Sequence, residues 1–151
     1  FAGASLVLVN LHLASKGGDD PHFGRRQPPR ESSSARRIRQ AELVAGFVSE
    51  LLGADPEARV LVLGDLNDFE GSPPLAALEA AGLENLVRRL PLEDRYSYVY
   101  LGNSQLLDHV LASPALAAVA EIDAVHCNAE FPAADRVSDH DPVVVRVSFG
   151  R

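Results

Sequence analysis

Four short polar segments stand where apolar runs end: Asn10-Leu11-His12, Gly64-Asp65-Leu66-Asn67, Leu107-Asp108-His109 and Ser138-Asp139-His140-Asp141-Pro142. They carry imidazoles, carboxylates and carboxamides, the groups that move protons, orient a water or bind a hard cation. Asp65 and Asn67 are two residues apart across a tight turn, so both side chains can enter one cleft and hold a hydrated metal or an attacking water; the pair equally suits an Asx turn. Asp108 and His140 form a more specific arrangement, because a carboxylate can hold an imidazole in the tautomer that takes a proton from water. Only the fold can bring those two together. Asp139 offers oxygen to a hard cation such as Mg2+, which keeps several of its waters, or else caps a turn. His12, just past an apolar strand, can donate to an anionic oxygen when protonated, and Asn10 can position a neighbouring side chain or a phosphate. Both also fit satisfied strand ends.

The elements that must position these residues follow from patterning. Leu6-Val7-Leu8-Val9-Asn10-Leu11 reads as a buried strand, and Ser15 to Ser34, rich in Gly, Pro, Arg and Ser, reads as a long loop. Ser32, Ser33 or Ser34 caps a helix whose apolar positions Ile38, Ala41, Val44, Ala45, Val48, Leu51 and Leu52 recur at helical spacing up to Gly53. Val60-Leu61-Val62-Leu63 is a short apolar strand suited to a sheet covered on both faces. Pro73 or Pro74 opens a second helix that ends at Gly82. Tyr96 to Tyr100, a turn at Gly102-Asn103 and Gln105 to Leu111 predict a hairpin; strands at Ile122 to His126 and Val143 to Phe149 flank a polar loop from Asn128 to Asp141. The order argues for an α/β unit with a mixed sheet. Helices on one face leave the other uncovered, which predicts a missing second layer.

Composition bounds the rest. At 151 residues and 46% hydrophobic, the chain has apolar mass for one modest core. The net charge of -7 excludes a uniformly basic, histone-like binder. Positions 15 to 40 nevertheless hold Lys16, Arg25, Arg26, Arg30, Arg36, Arg37 and Arg39 against Asp19, Asp20 and Glu31, a local charge of +4 that leaves -11 elsewhere. That segment can track a nucleic-acid backbone through Lys16, Arg25 and Arg26, or remain a solvated loop. The single Cys127 excludes an intrachain disulfide and a Cys-rich zinc module, and the strand pattern around it predicts burial. Tyr96, Tyr98 and Tyr100 share one strand face, where packing is favoured over stacking on bases. No run approaches the roughly 20 apolar residues of a membrane span, so no stable membrane insertion is expected. The start at Phe1-Ala2-Gly3-Ala4-Ser5 reads as a cut edge.

The four segments together resemble the endonuclease/exonuclease/phosphatase superfamily, whose members include pancreatic deoxyribonuclease, abasic-site endonucleases, neutral sphingomyelinases and inositol polyphosphate 5-phosphatases. The wording of Asn10-Leu11-His12-Leu13-Ala14-Ser15-Lys16, the Arg-rich insert and Tyr96-Ser97-Tyr98 before Leu107-Asp108-His109 looks most like bacterial extracellular nucleases. The resemblance implies that residues 1–151 are the C-terminal portion of a four-layer α/β/β/α sandwich with mixed or mainly antiparallel sheets, whose missing N-terminal portion completes the fold. It implies His140 as general base for water and Asp108 as its orienting partner. Asp65 and Asn67 would hold nucleophile and scissile phosphate, Asp139 and Asp65 the metal region, and His12, supported by Asn10, the phosphoryl charge or leaving group. His109 looks structural, or supports the residues that line the site. The family's upstream Asn and metal-binding Glu have no counterpart here, so the isolated chain would hold an incomplete site. The implied cofactor is Mg2+ or Mn2+, with Ca2+ as a further option; the substrate is DNA or RNA, and the setting secreted or extracellular and bacterial. Rival readings are a phospholipid or inositol-phosphate phosphoesterase, or a noncatalytic nucleic-acid-binding fragment.

Overall fold

The computed structural model describes residue 3, residues 5–21 and residues 23–149; Phe1, Ala2 and Ala4 of the expected cut edge lie outside the described residues. Strand β1 (Val7–His12) leads through the long loop to helix α1 (Ser34–Ala54), then to β2 (Val60–Asp65) and α2 (Pro73–Ala80). A two-residue strand β3 (Glu84–Asn85) and two short 3-10 turns precede the hairpin β4 (Tyr98–Tyr100) and β5 (Asn103–Gln105). Strand β6 (Asp108–Ala112), the single-turn helix α3 (Pro114–Ala117), β7 (Ala120–Ala124) and β8 (Val143–Val147) complete the order. No helix among the described residues is long and apolar enough to cross a membrane.

The main sheet runs β1-β2-β6-β3, with β1 and β2 parallel and β6 antiparallel to both of its neighbours. Period-two alternation sends Val60 and Val62 of β2 to one face, into a core with Ala41 and Val48 of α1 and Leu75 and Leu78 of α2. Leu61 faces the other way with Val110 and Ala112 of β6, Leu116 of α3 and Ala120, and partly buried Val143, Val145 and Val147 of β8 pack on it. The β7–β8 pair therefore covers the second face at β2 and β6, while Leu8 of β1, on that same face, is 55% exposed. The expectation of an uncovered face thus holds at β1 and is corrected at β2 and β6. The mixed α/β class stands.

The expected hairpin partner Gln105 to Leu111 divides in two. Leu106 and Leu107 lie between two pairings: β5 ends at Gln105 against β4, and β6 begins at Asp108 against β2. Cys127 is exposed rather than buried, because it lies past the end of β7. Arg37, counted in the basic segment, is 0% exposed: it sits one turn before Ala41 on the buried stripe of α1. Its Nε donates to Asp68 Oδ2 at 2.9 Å and Nη1 donates to the Ala14 carbonyl at 3.2 Å, with Asp19 3.6 Å away. A guanidinium held this way cannot follow a nucleic-acid backbone.

Candidate active site

Strand register assembles the site. His12 ends β1 opposite Asp65, and Asp65 ends β2 opposite Asp108 at the start of β6. Paired residues in a sheet point to the same side, so residues remote in sequence form one row across three strands. His12 Nε2 lies 3.5 Å from Asp65 Oδ2. The row depends on a close approach: Gly64 has φ +126, and a Cβ there would stand 2.0 Å from the Leu11 carbonyl oxygen and 3.1 Å from Asn10 Oδ1. Only glycine lets β1 and β2 meet beside the row.

Asp65 and Asn67 do form the Asx-type turn, and it serves to fix both side chains. The Asn67 backbone N–H donates to Asp65 Oδ1 at 2.8 Å, and its amide nitrogen donates to Asp65 Oδ2 at 3.1 Å and to the Leu13 carbonyl at 3.1 Å. Asn67 adopts φ 52, a left-handed conformation that Asn tolerates. Burial raises the Asp65 carboxyl above its ordinary value, and the Asp108 charge adds to this, against the Asn67 N–H, His140 and His12, which lower it.

His140 Nδ1 lies 2.6 Å from Asp108 Oδ2. The carboxylate accepts, so Nδ1 carries the hydrogen and Nε2 is left as the basic nitrogen. The same Oδ2 accepts from the Ser97 hydroxyl at 2.6 Å, and Ser97 Oγ in turn accepts the N–H groups of Leu107 and Asp108 at 3.3 and 3.2 Å. The bond to Asp108 is the main reason the His140 imidazole is raised above 6.5; burial opposes it, and the charges of Asp108, Asp65 and Asp139 assist. The loop carrying His140 is fastened by Asp141, whose Oδ1 accepts the N–H groups of Cys127, Asn128 and Ala129 at 3.0, 2.7 and 2.9 Å. Asp141 Oδ2 lies 3.0 Å from His126 Nδ1, and Asn128 Nδ2 donates to the His140 carbonyl at 2.9 Å. Burial alone would raise the Asp141 carboxyl, but these donors outweigh it and hold it below its ordinary value.

A cavity of about 630 Å³ is lined by His12, Lys16, Asp65, Asn67, Asp108, Asp139 and His140, so seven of the expected residues meet. Arg25 and Arg26 are exposed and Asn10 lies on the exposed side of β1; none of the three lines the cavity. Arg26 pairs with Asp20 at 3.7 Å, and Lys16 Nζ donates to Asp68 Oδ1 at 3.0 Å. His109 is structural: its Nε2 meets the Asp68 carbonyl at 3.0 Å, its Nδ1 meets Asn85 Nδ2 at 3.2 Å, and burial lowers its pKa. Tyr98 and Tyr100 line the cavity and pack on one another, and Tyr96 packs on His126 outside it. Sequence reasoning gave no role to Ser97, Asp141 or Asn128. Asp141 has a local signal as the last acid before Pro142; a serine between two tyrosines has none.

Among the described residues no group of three or more His, Cys, Asp or Glu side chains is placed to hold a metal ion. Asp65 and Asp139 nevertheless line one cavity, and Mg2+ is held by one or two carboxylates while keeping several waters. The donor set fits a hydrated hard cation.

Residues 20–141 match the endonuclease/exonuclease/phosphatase family, a range that contains Asp65, Asn67, Asp108, Asp139 and His140. No curated protein sequence matches the chain. Its fold is similar to an AP endonuclease from Archaeoglobus fulgidus, with TM-score 0.67 and 15% identity over 94% of this chain and 61% of that one. It is also similar to a 3′ phosphatase from Neisseria bound to product DNA hairpin, with TM-score 0.60 and 20% identity over 94% of this chain and 61% of that one. A mannosyl-6-phosphatase from Bacteroides thetaiotaomicron aligns with TM-score 0.56 and 21% identity over 94% of this chain and 51% of that one. The chain thus spans between half and two thirds of the length of these structures. With the match covering most of its length, the chain belongs to the endonuclease/exonuclease/phosphatase family.

Proposed function

We propose that this chain carries the hydrolytic dyad of a divalent-metal-dependent nuclease that cleaves phosphodiester bonds with activated water and little sequence specificity. The observation that carries the reading is the row His12, Asp65 and Asp108 with His140 seated on Asp108, all beside one cavity. His140 takes the proton from water at Nε2, and Asp108 stabilises the imidazolium that results. Asp65 and Asn67 orient the water and the scissile phosphate. The His12 side chain, 75% exposed, reaches phosphoryl oxygen or leaving group. Lys16 meets the phosphate from within the cavity; Arg25, Arg26 and Asn10 extend the backbone track beyond it. Such contacts position a strand without reading its bases.

Charge supports the cation. Asp65, Asp108 and Asp139 line the cavity together, and carboxylates gathered beside the site repel a phosphodiester unless a cation is present. Asp139 and Asp65 would hold Mg2+ or Mn2+, with Ca2+ as a substitute, and the bound cation supplies neutralisation of phosphoryl charge. Because the chain spans 61% of the first of these neighbours, we include in the proposal that further segments of the same domain complete the active form. The likeness of its motifs to bacterial extracellular nucleases supports an exported location.

The similarity to a mannosyl-6-phosphatase and to a 3′ phosphatase favours a second reading, hydrolysis of a terminal phosphomonoester. A panel of plasmid DNA, single-stranded DNA, RNA, a 3′-phosphorylated oligonucleotide, mannose 6-phosphate and sphingomyelin, each with Mg2+ or with chelator, tests both. Chelator-sensitive internal cleavage of nucleic acid is expected. Exclusive release of inorganic phosphate from monoesters overturns the nuclease reading in favour of the second.

A further inference from the structure

Lys16 is the single lysine among the 14 lysine and arginine residues of the chain. Its Nζ donates to Asp68 Oδ1 at 3.0 Å and stands 4.8 Å from the centre of the Phe69 ring. Lys16 and Phe69 line the cavity whereas Asp68 and Arg37 do not, so the carboxylate backs the ammonium from the protein side. Asp68 is itself fixed. Its Oδ2 accepts from Arg37 Nε at 2.9 Å, its Oδ1 also accepts the Phe69 N–H at 3.1 Å, and its carbonyl meets His109 Nε2 at 3.0 Å. Arg37 in turn gathers both flanks of Lys16: Nη1 donates to the Ala14 carbonyl at 3.2 Å and lies 3.6 Å from Asp19 Oδ2. Asp19 accepts the Ser33 N–H at 2.9 Å and the Ser32 hydroxyl at 3.0 Å, which ties the far end of the loop to the same point. The backbone on either side of Lys16 and the partner of its ammonium thus converge on one buried guanidinium.

We infer that Asp68, held by Arg37, is a positioning residue that aims the Lys16 ammonium at the substrate phosphate. This rests on the phosphodiesterase reading and adds to it the group that fixes the phosphate contact. An ammonium carries three N–H donors, so the bond to Asp68 leaves donors for phosphate oxygens. A flexible lysine stem loses rotamer freedom when it meets a ligand, and a carboxylate that already holds it removes much of that cost. Arg37 keeps the arrangement from becoming a trap, because Asp68 retains a cation on Oδ2 when Lys16 shifts toward phosphate. Lysine suits this place better than the arginine used elsewhere in the chain. A compact ammonium docks on one oxygen and still presents charge outward, while a planar guanidinium would take the carboxylate as a fork.

A double-mutant cycle in the full-length protein tests the inference, with Lys16→Met, Asp68→Asn and the two combined, each checked by circular dichroism. KM and kcat are measured for single-stranded DNA with Mg2+, and Kd for fluorescein-labelled oligo(dT) with Ca2+. Lys16→Met is expected to raise KM and Kd about ten- to a hundredfold through loss of a charge-assisted hydrogen bond. Asp68→Asn keeps the shape and an oxygen for Arg37, and is expected to raise both about three- to thirtyfold with a smaller change in kcat. In the Lys16→Met background the same change should alter them by less than about twofold. Removing a negative charge beside an anionic ligand would by itself tighten binding, so tighter or unchanged binding in Asp68→Asn overturns the inference. A loss by the same factor in both backgrounds also overturns it, since Lys16 would then transmit nothing. If Asp68→Asn does not fold, trace acetylation of the parent by acetic anhydride carries the test: Lys16 should label more slowly in the native than in the urea-unfolded protein, and more slowly still with oligo(dT). Equal native and unfolded rates, or no protection by oligo(dT), overturn the docking. Non-additivity in oligo(dT) binding without any hydrolysis keeps the role of Asp68 and removes the phosphodiesterase. Chelator-sensitive hydrolysis with additive variants keeps the phosphodiesterase and removes that role.

Discussion

Replacing Asp141 with alanine removes the acceptor that fastens the His140 loop, although Asp141 itself touches no part of the cavity. Its Oδ1 gathers three backbone N–H groups, and two of them belong to the buried residues Asn128 and Ala129. Each buried N–H left without a partner costs about 1–3 kcal/mol, so those two together cost about 2–6 kcal/mol; the Cys127 N–H, on an exposed residue, can turn to water. For a domain of this size each kcal/mol lowers the melting temperature by roughly 2–4 °C. Asp141→Asn keeps a carbonyl oxygen for the three N–H groups but removes their charge assistance and puts a donor where Oδ2 faced His126, so its loss is smaller than alanine's, about 1–3 kcal/mol. The functional effect follows from position: with the loop released, His140 loses register against Asp108, and a displacement near 1 Å can cost about a hundredfold in rate. Thermal melting and hydrolysis rates of the two variants should therefore fall in the order parent, Asn, Ala. An alanine variant that melts with the parent and hydrolyses at the parent's rate refutes the reasoning, as does an asparagine variant damaged as severely as alanine.

Gly64→Ala should destabilise by several kcal/mol, since its Cβ would meet the Leu11 carbonyl at 2.0 Å and a non-glycine residue pays about 1–3 kcal/mol for such a backbone conformation before any clash; denaturant titration measures it. Arg37→Met removes one of the two cations on the buried Asp68 carboxylate and leaves Lys16 at 3.0 Å, so it should cost about 1–3 kcal/mol, with Arg37→Lys intermediate, again read by denaturant titration. Buried His109 has a folded pKa below its ordinary 6.5, so its unfolded form takes up a proton first. Stability from this group is therefore complete above 6.5 and falls as pH drops below it, by up to about 1.4 kcal/mol per pH unit. His140, raised instead, adds stability as pH falls toward and just past 6.5 and opposes the His109 decline there, so the decline shows most clearly at the acidic end of the range. Urea midpoints between pH 7 and 5 should show the decline in the parent and a flatter profile in His109→Gln.

The legible parts of this molecule are those where short-range pattern and long-range packing agree. Val60 to Leu63 reads as a doubly covered strand, and Val60, Leu61 and Val62 are buried against the two faces. The stripe Ala41, Val44, Val48 locates α1, and the same spacing extended back one turn reaches Arg37, a signal of burial that charge counting overrode. Asp108 and His140 were paired on chemical grounds, and the structure puts them 2.6 Å apart. Register was not legible: that His12, Asp65 and Asp108 share one row follows from which strands pair, information no single segment carries. Nor was Ser97, whose role comes from a bend that turns Leu107 N–H, Asp108 N–H and the Asp108 carboxylate toward one hydroxyl. The hairpin is shorter than its pattern suggests because no residue type marks Leu106-Leu107, where pairing passes from β4 to β2.

Hydrolysis at this site turns first on His140 as the base for water. Its decisive measurement is the Mg2+-dependent cleavage rate of single-stranded DNA by the chain in its full-length context, parent against His140→Gln, with the variant's fold checked by circular dichroism. Loss of a general base predicts a fall of about 10²–10⁴-fold in the variant, with oligonucleotide binding in Ca2+ retained. A folded His140→Gln protein that cleaves at the parent's rate, or a parent whose cleavage survives removal of all divalent cation, would contradict it.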